Sequence, residues 1–263
     1  MPTIRDIYNI LFDFAPAYMK MDWDNVGLVC GKFDTEVHRI LVALDPMMDV
    51  FEEAKALSCE LVVTHHPLIF QSIKQVNDES YDGRNLLYLI ENGIASLNLH
   101  TNLDCCPGGV NDVLAETLGL TEVSVLNPTG TDARGRPYGL IRTGTVREQR
   151  LAEFAAFVKS ALSCPGLRFA DAGKPVRRVA VGGGSCGSAI DDVLAAGCDT
   201  LVTADLKYNH FEEAKYRGLN LIDAGHFETE NPVCAVLERV VREALPELTV
   251  LRAKAHKDET QFL

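Results

Sequence analysis

The sequence predicts an α/β protein of two similar α/β lobes, an internal pseudo-repeat, facing each other across a metal-binding cleft. Two observations carry that prediction. Short apolar runs alternate with helical patterns along nearly the whole chain, as in β–α–β units. The pattern also recurs. With Cys59 set over Cys198, CELVVTHH lies over CDTLVTAD, and the H-x-x-x-acid group from His100 to Asp104 returns as His226 to Glu230.

The elements follow in order. Thr3 to Phe14 has the apolar spacing of an amphipathic opening helix. After a loop holding MDWDNVGLVCG come a strand, HRILVALD, a helix, DVFEEAKALSC, and a second strand, ELVVTHHP. A helix from about Arg84 to Asn92 leads to GIASLNLHTNLD, and another spans Asn111 to Leu118. The polar, turn-rich NPTGTDARGRP is the expected lobe boundary, giving lobes at 1–128 and 129–263, with the C-terminal helix able to pack back on the first. The second half reads as strand (YGLIRTGTV), helix (RLAEFAAFVKSAL), strand (RRVAV), a glycine turn with a short helix, and strand (CDTLVTAD). A helix in KYNHFEEAKYRG, a strand at NLID and a helix from Pro232 to Ala244 close the pattern.

Composition narrows the function classes. The chain is 47% hydrophobic, enough for a sizeable core, and its formal net charge of −12 disfavours nucleic acid and anionic membranes as partners. No apolar run approaches the roughly 20 residues of a membrane helix, and the N-terminus lacks a signal-peptide profile, so a cytoplasmic location is expected. The eight cysteines form no CxxC pair, which argues for reduced, buried thiols over a zinc ribbon.

Three segments, ELVVTHHP, NLHTNLD and DAGHFETE, each place histidine or acid at the carboxyl end of an expected strand, where ligands bind in open α/β sheets. His65, His66, His100, Asp104, His226 and Glu230 can therefore converge. Imidazole with carboxylate suits divalent zinc, iron, manganese or nickel. Neighbours on a regular strand point to opposite faces, so the His65–His66 doublet suits two nearby ions better than one, unless the strand has already ended. His226 and Glu230, four apart, share one side of a helical turn. His38, His210 and His256 read as hydrogen-bonded structural residues, and Cys105 and Cys106 as small residues of a tight loop before PGG rather than ligands.

THHPLIF, NLHTNLDCCPGGVND and GHFETE, with MDWDNVGL and TADLKY, together resemble the NIF-three-like dinuclear metal-centre proteins, also labelled GTP cyclohydrolase 1 type 2 homologues. The resemblance implies two divalent ions per chain, held by His65, His66, Asp104, His226 and Glu230. Glu230 would bridge the pair and Asp104 would attend one ion, with His100 beside the site; the chemistry of imidazole, apart from the resemblance, suits His100 as a proton shuttle. The resemblance also implies a homohexamer and a nucleotide-like small-molecule substrate. Cys105–Cys106, where small residues are expected, and Asn209, within the usual Lys-Tyr-His run, depart from the pattern.

The expected activity is metal-dependent hydrolysis by hydroxide generated between two ions. Two rival readings stand beside it. A two-metal cleft can store or sense metal without catalysis. GGGSCG at Gly182 to Gly187, after a strand and before a helix, matches G-x-G-x-x-G, and Asp205 lies where a ribose-binding acid belongs.

Overall fold

The computed structural model describes residues 1–263. Its first helix, α1 (Ile4–Phe14), begins where the sequence supplies a cap. The Thr3 hydroxyl accepts from the Asp6 N–H and the Asp6 carboxylate accepts from the Thr3 N–H, a capping box. Ile4, Ile7 and Leu11, three and four apart, form the buried stripe. The chain continues through β1 (Gly27–Cys30), β2 (Arg39–Ala43), α2 (Met48–Ala56), β3 (Leu61–Thr64), α3 (Tyr81–Asn92), β4 (Ala95–Asn98) and α4 (Thr101–Cys105). Next come α5 (Val110–Thr117), β5 (Thr121–Leu126), β6 (Gly130–Thr131), β7 (Pro137–Tyr138), β8 (Ile141–Gln149), α6 (Leu151–Ala161) and β9 (Arg168–Ala170). Then follow β10 (Val176–Val181), α7 (Ile190–Ala195), β11 (Thr200–Thr203), α8 (Tyr208–Arg217), β12 (Asn220–Asp223) and α9 (His226–Glu230), and last α10 (Cys234–Ala244) and β13 (Thr249–Arg252).

The chain forms two units. The first holds Met1–Cys106 and Val233–Lys257, the second Pro107–Pro232 and Asp258–Leu263. In the first, the sheet order is β1-β4-β3-β2-β13, with β2, β3, β4 and β13 parallel and β1 antiparallel to β4. Every residue of β3 and β4 is buried, as in parallel strands covered on both faces. On one face Leu41, Ala43 and Val62 pack against Phe51 and Ala54 of α2 and Leu86 and Leu89 of α3. α3 ends at Gly93, whose φ of 66° suits a residue without a Cβ, and the chain turns directly into β4.

The second unit's sheet runs β5-β8-β10-β11-β12-β9, with β10, β11 and β12 parallel and the remaining pairings antiparallel. Val179, Val181, Val202 and Ile222 pack on one face with Leu114 of α5 and Phe154 of α6. Ala180, Leu201 and Leu221 pack on the other with Val193 of α7 and Ala214 of α8. Both units thus contain three consecutive parallel strands, β2–β4 and β10–β12, and in both a five-residue helix follows the third strand. No helix is long and apolar enough to cross a membrane.

The division lies at 106/107, not at the expected 128/129. Leu114, Ala115 and Leu118 belong to the second unit's core, and β5 pairs with β8, so 107–128 goes with that unit. NPTGTDARGRP is a hairpin, β6–β7, closed by Asp132, which accepts from the N–H groups of Arg134 and Arg136. Turn chemistry marks a tight hairpin as readily as a linker. Residues 233–257 fall in the first unit, where α10, the C-terminal helix that the sequence left able to pack back on the first lobe, packs on α1 and β13 pairs with β2.

Candidate metal centre

β3 ends at Thr64, so the pleat does not separate His65 from His66. The Thr64 hydroxyl donates to the His66 carbonyl (2.7 Å), and the two imidazole centroids lie 4.9 Å apart. The doublet therefore converges; the strand has ended, the one condition under which divergence was not expected. β4 runs parallel beside β3 and delivers His100 to the same sheet end, its ring 5.3 Å from that of His65 and 5.6 Å from that of His66. Ring nitrogens of all three fall within 4.8 Å of one another. Asp104 lies one helical turn beyond His100, with Oδ1 3.5 Å from His65 Nε2.

The outer face of each ring is fixed. His65 Nδ1 lies 2.9 Å from the Leu99 carbonyl oxygen, which only accepts, so Nδ1 is the donor there and Nε2 is the nitrogen turned toward Asp104. His66 Nδ1 meets Asp45 Oδ1 at 2.6 Å, and His100 Nδ1 meets Asp24 Oδ1 at 2.7 Å. The carboxylates are themselves anchored. Asp24 Oδ2 accepts from the Thr101 N–H and hydroxyl, and Asp45 Oδ2 lies 3.0 Å from His256 Nε2. Burial pushes the Asp24 carboxyl up, but the hydrogen bonds from His100 and Thr101 outweigh it and hold it at about 2. Burial also pushes Asp45 up, and the bonds from His256 and His66 bring it well below the usual carboxylate range. Both are charged acceptors at neutral pH.

In the second unit, β12 ends at Asp223, and α9 places His226 and Glu230 one turn apart, Nε2 to Oε2 3.1 Å. His226 Nδ1 meets Asp205 Oδ2 at 2.7 Å. Asp205 follows β11 with a left-handed φ of 54°. The GGGSCG turn closes on this pair. Gly184 has φ +60°, and a Cβ there would sit 2.3 Å from Glu230 Oε1 and 3.0 Å from His226 Nε2. The Gly184 N–H donates to the Thr229 hydroxyl, and its carbonyl accepts from the Ala204 N–H. Close approach of this carboxylate accounts for the glycine. Asp205, which the spacing offered as a ribose acid, faces His226.

Of the six residues singled out in the sequence, the first unit gathers His65, His66, His100 and Asp104, and the second joins His226 to Glu230. His38 Nδ1 lies 3.5 Å from Glu60 Oε1 near the surface, and His210 Nδ1 accepts from the Lys207 N–H at the start of α8. Cys105 and Cys106 are buried, and Cys106 Sγ donates to the Leu103 carbonyl (3.6 Å). Each of Asp24, Asp45 and Asp205 is oriented onto a histidine; the sequence reading names neither Asp24 nor Asp45, and offers Asp205 only as a ribose-binding acid. Their signal was present: Asp45 and Asp205 close HRILVALD and CDTLVTAD just past a strand, and Asp24 stands in MDWDN. Unprotonated imidazole Nε2 with carboxylate oxygen is a donor set that fits a divalent transition metal.

The model of the Duf34/NIF3 (NGG1p interacting factor 3) family matches residues 2–259. A Clostridium perfringens protein named GTP cyclohydrolase 1 type 2 homolog is 34% identical, with 99% of each chain covered. A Streptomyces coelicolor protein of the same name is 41% identical over 89% of this chain and 84% of its own. Among solved structures, Staphylococcus aureus protein SA1388 superposes with a TM-score of 0.91 at 28% identity, covering 99% of both chains. A Bacillus cereus protein related to NIF3 reaches 0.93 at 24% identity, covering 100% of this chain and 99% of that one, and shares the fold. Matched from residue 2 to 259 and accompanied by relatives this similar along most of its length, the chain belongs to the Duf34/NIF3 family.

Proposed function

We propose that this protein is a dinuclear metal-dependent hydrolase. His65, His66, Asp104, His226 and Glu230 would hold two divalent ions, with Glu230 as the ligand common to both. The observation that carries this reading is the state of the histidines: in His65, His66, His100 and His226 alike, Nδ1 is engaged by an oxygen acceptor, a carboxylate in three of them. That outer arrangement fixes the tautomer and raises the basicity of a metal-binding imidazole. Five donors and an adjoining histidine exceed the four positions of a single tetrahedral ion, which favours two. Bound ions would supply Lewis acidity and acidify water.

The chain's own residues do the rest. Asp24, Asp45 and Asp205 aim the rings. Gly184 leaves room for the Glu230 carboxylate. His100, tied to Asp24 through Nδ1, would move a proton at Nε2, the general acid–base role of a positioned imidazole. The substrate is a nucleotide, as the name of the Clostridium and Streptomyces relatives suggests, and the reaction opens the purine imidazole ring hydrolytically with release of formate. The working form is a cytoplasmic homohexamer, to be measured by light scattering.

Native mass spectrometry in metal-replete buffer should find two ions per chain. Glu230→Gln should lose most of both and His38→Ala neither. Zero or one ion overturns the dinuclear reading. Nucleotide hydrolysis should vanish with chelator and return with a divalent ion. Hydrolysis that survives chelation, or its absence across a nucleotide, phosphoester and amide panel, overturns the hydrolase and favours metal storage or regulation.

A further inference from the structure

Trp23 is the only tryptophan in the chain, and it is 61% exposed, with Phe70 beside it at 53%. Single exposed apolar residues are ordinary, but two large rings in contact at the surface make a contiguous patch, the kind of feature that marks a binding surface. Their centroids lie 5.7 Å apart at an interplanar angle of 64°. Both rings stand steeply to His100, Trp23 at 6.2 Å and 71°, Phe70 at 6.1 Å and 80°.

The pair is held by the bonds that orient His100. Asp24, next to Trp23, accepts from His100 Nδ1 and from Thr101. Asn25 Nδ2 donates to the Ile69 carbonyl (2.7 Å), tying this loop to the segment that carries Phe70. Asn98 Nδ2 donates to the Asn25 carbonyl (2.8 Å), fixing the loop to β4. One network thus places two open aromatic faces beside the three-histidine set.

We propose that Trp23 and Phe70 form a stacking site for a planar nitrogen heterocycle, the nucleobase of the substrate, and so bring its ring to the metal-binding imidazoles. This assignment rests on the hydrolase reading and names the part of the substrate that the first unit recognises. A heterocycle has a polarisable face whatever its edge, which suits two aromatic side chains with no polar code between them. An extended polyanion is a poor occupant, since the chain carries a formal charge of −12.

With one tryptophan, fluorescence excited on the long-wavelength side of the tyrosine band reports on Trp23 alone. Guanosine and GTP titrated into the metal-loaded full chain should quench it saturably, and ribose 5-phosphate, which lacks the ring, should not. Trp23→Leu and Phe70→Leu should each weaken GTP binding by calorimetry roughly tenfold, the scale of one lost base stack. Metal content should stay at the wild-type level, and Trp23→Tyr should restore most of the binding. Quenching without turnover would leave the stacking site standing while the hydrolase reading falls. Absent quenching, or unaltered GTP affinity in both leucine variants, overturns the stacking site whatever the turnover. An emission that is blue-shifted and ligand-insensitive, with an oligomer that Trp23→Leu dissociates, also overturns it and assigns the face to a second copy of the chain.

Discussion

Asp24, Asp45 and Asp205 come from three separate loops, yet each directs a carboxylate oxygen at a histidine Nδ1. The Asp205 pair can be tested without disturbing the backbone, because asparagine also tolerates the left-handed conformation found there. Asp205→Asn removes the charge behind His226 and should lower metal affinity by about 10–100-fold, read by competition with a chromophoric chelator, while circular dichroism is unchanged. Gly184→Ala combines a strained φ with a Cβ 2.3 Å from Glu230 Oε1. It should lose most of the bound metal and about 1–2 kcal/mol of stability in urea titrations. Cys164 tests burial instead. Burial pushes its thiol up to about 12, and its Sγ donates to the Ala224 carbonyl. Native protein at about pH 8.5, where an ordinary thiol is half ionised, should leave Cys164 unalkylated by iodoacetamide in peptide mapping, and denatured protein should not.

At the scale of elements, the histidines sit where strands stop. β3 ends one residue before His65, β4 two before His100, and α4 and α9 each carry one H-x-x-x-acid group through a single turn. The buried strands were legible as strands because parallel strands covered on both faces are continuous apolar runs: LVVT of β3 and TLVT of β11 are buried throughout. β1, β5, β9 and β13 were not legible. β5 has no buried residue and β9 spans three residues, so neither offers a period, and pairing to a neighbour decides both. The cap of α1, by contrast, is local, and its strength can be measured. Thr3→Ala should cost about 1 kcal/mol in chemical denaturation through the lost capping box and leave metal content intact.

For the whole molecule, the discontinuous first unit makes a sharp prediction. A fragment of residues 1–128 lacks α10, which packs on α1, and β13, which pairs with β2. It exposes the Ile4, Ile7 and Leu11 stripe and an unpaired edge of β2, so it should be aggregated or unfolded by circular dichroism and size-exclusion chromatography. Metal bound only by the folded chain adds stability by mass action. Chelation from a free-ion level a hundred times the dissociation constant should remove about 2.7 kcal/mol and lower the melting temperature. An unchanged melting temperature would mean that the metal is absent or bound outside the fold.

The sequence by itself determined the α/β class, the order of the central strands and the candidate donors His65, His66, His100, Asp104, His226 and Glu230. These are written locally, in buried apolar runs and in residues placed just past their ends. Tertiary structure decided the rest. It turned His65 and His66 toward a common point, because β3 stops at Thr64 and the pleat no longer applies. It brought Asp24, Asp45 and Asp205 behind imidazoles 76, 21 and 21 residues away in the chain. It moved the division to 106/107 and returned 233–257 to the first unit. Each of these depends on which segments meet across a sheet or a core, a contact free energy between residues far apart in sequence, which no local window of residues carries.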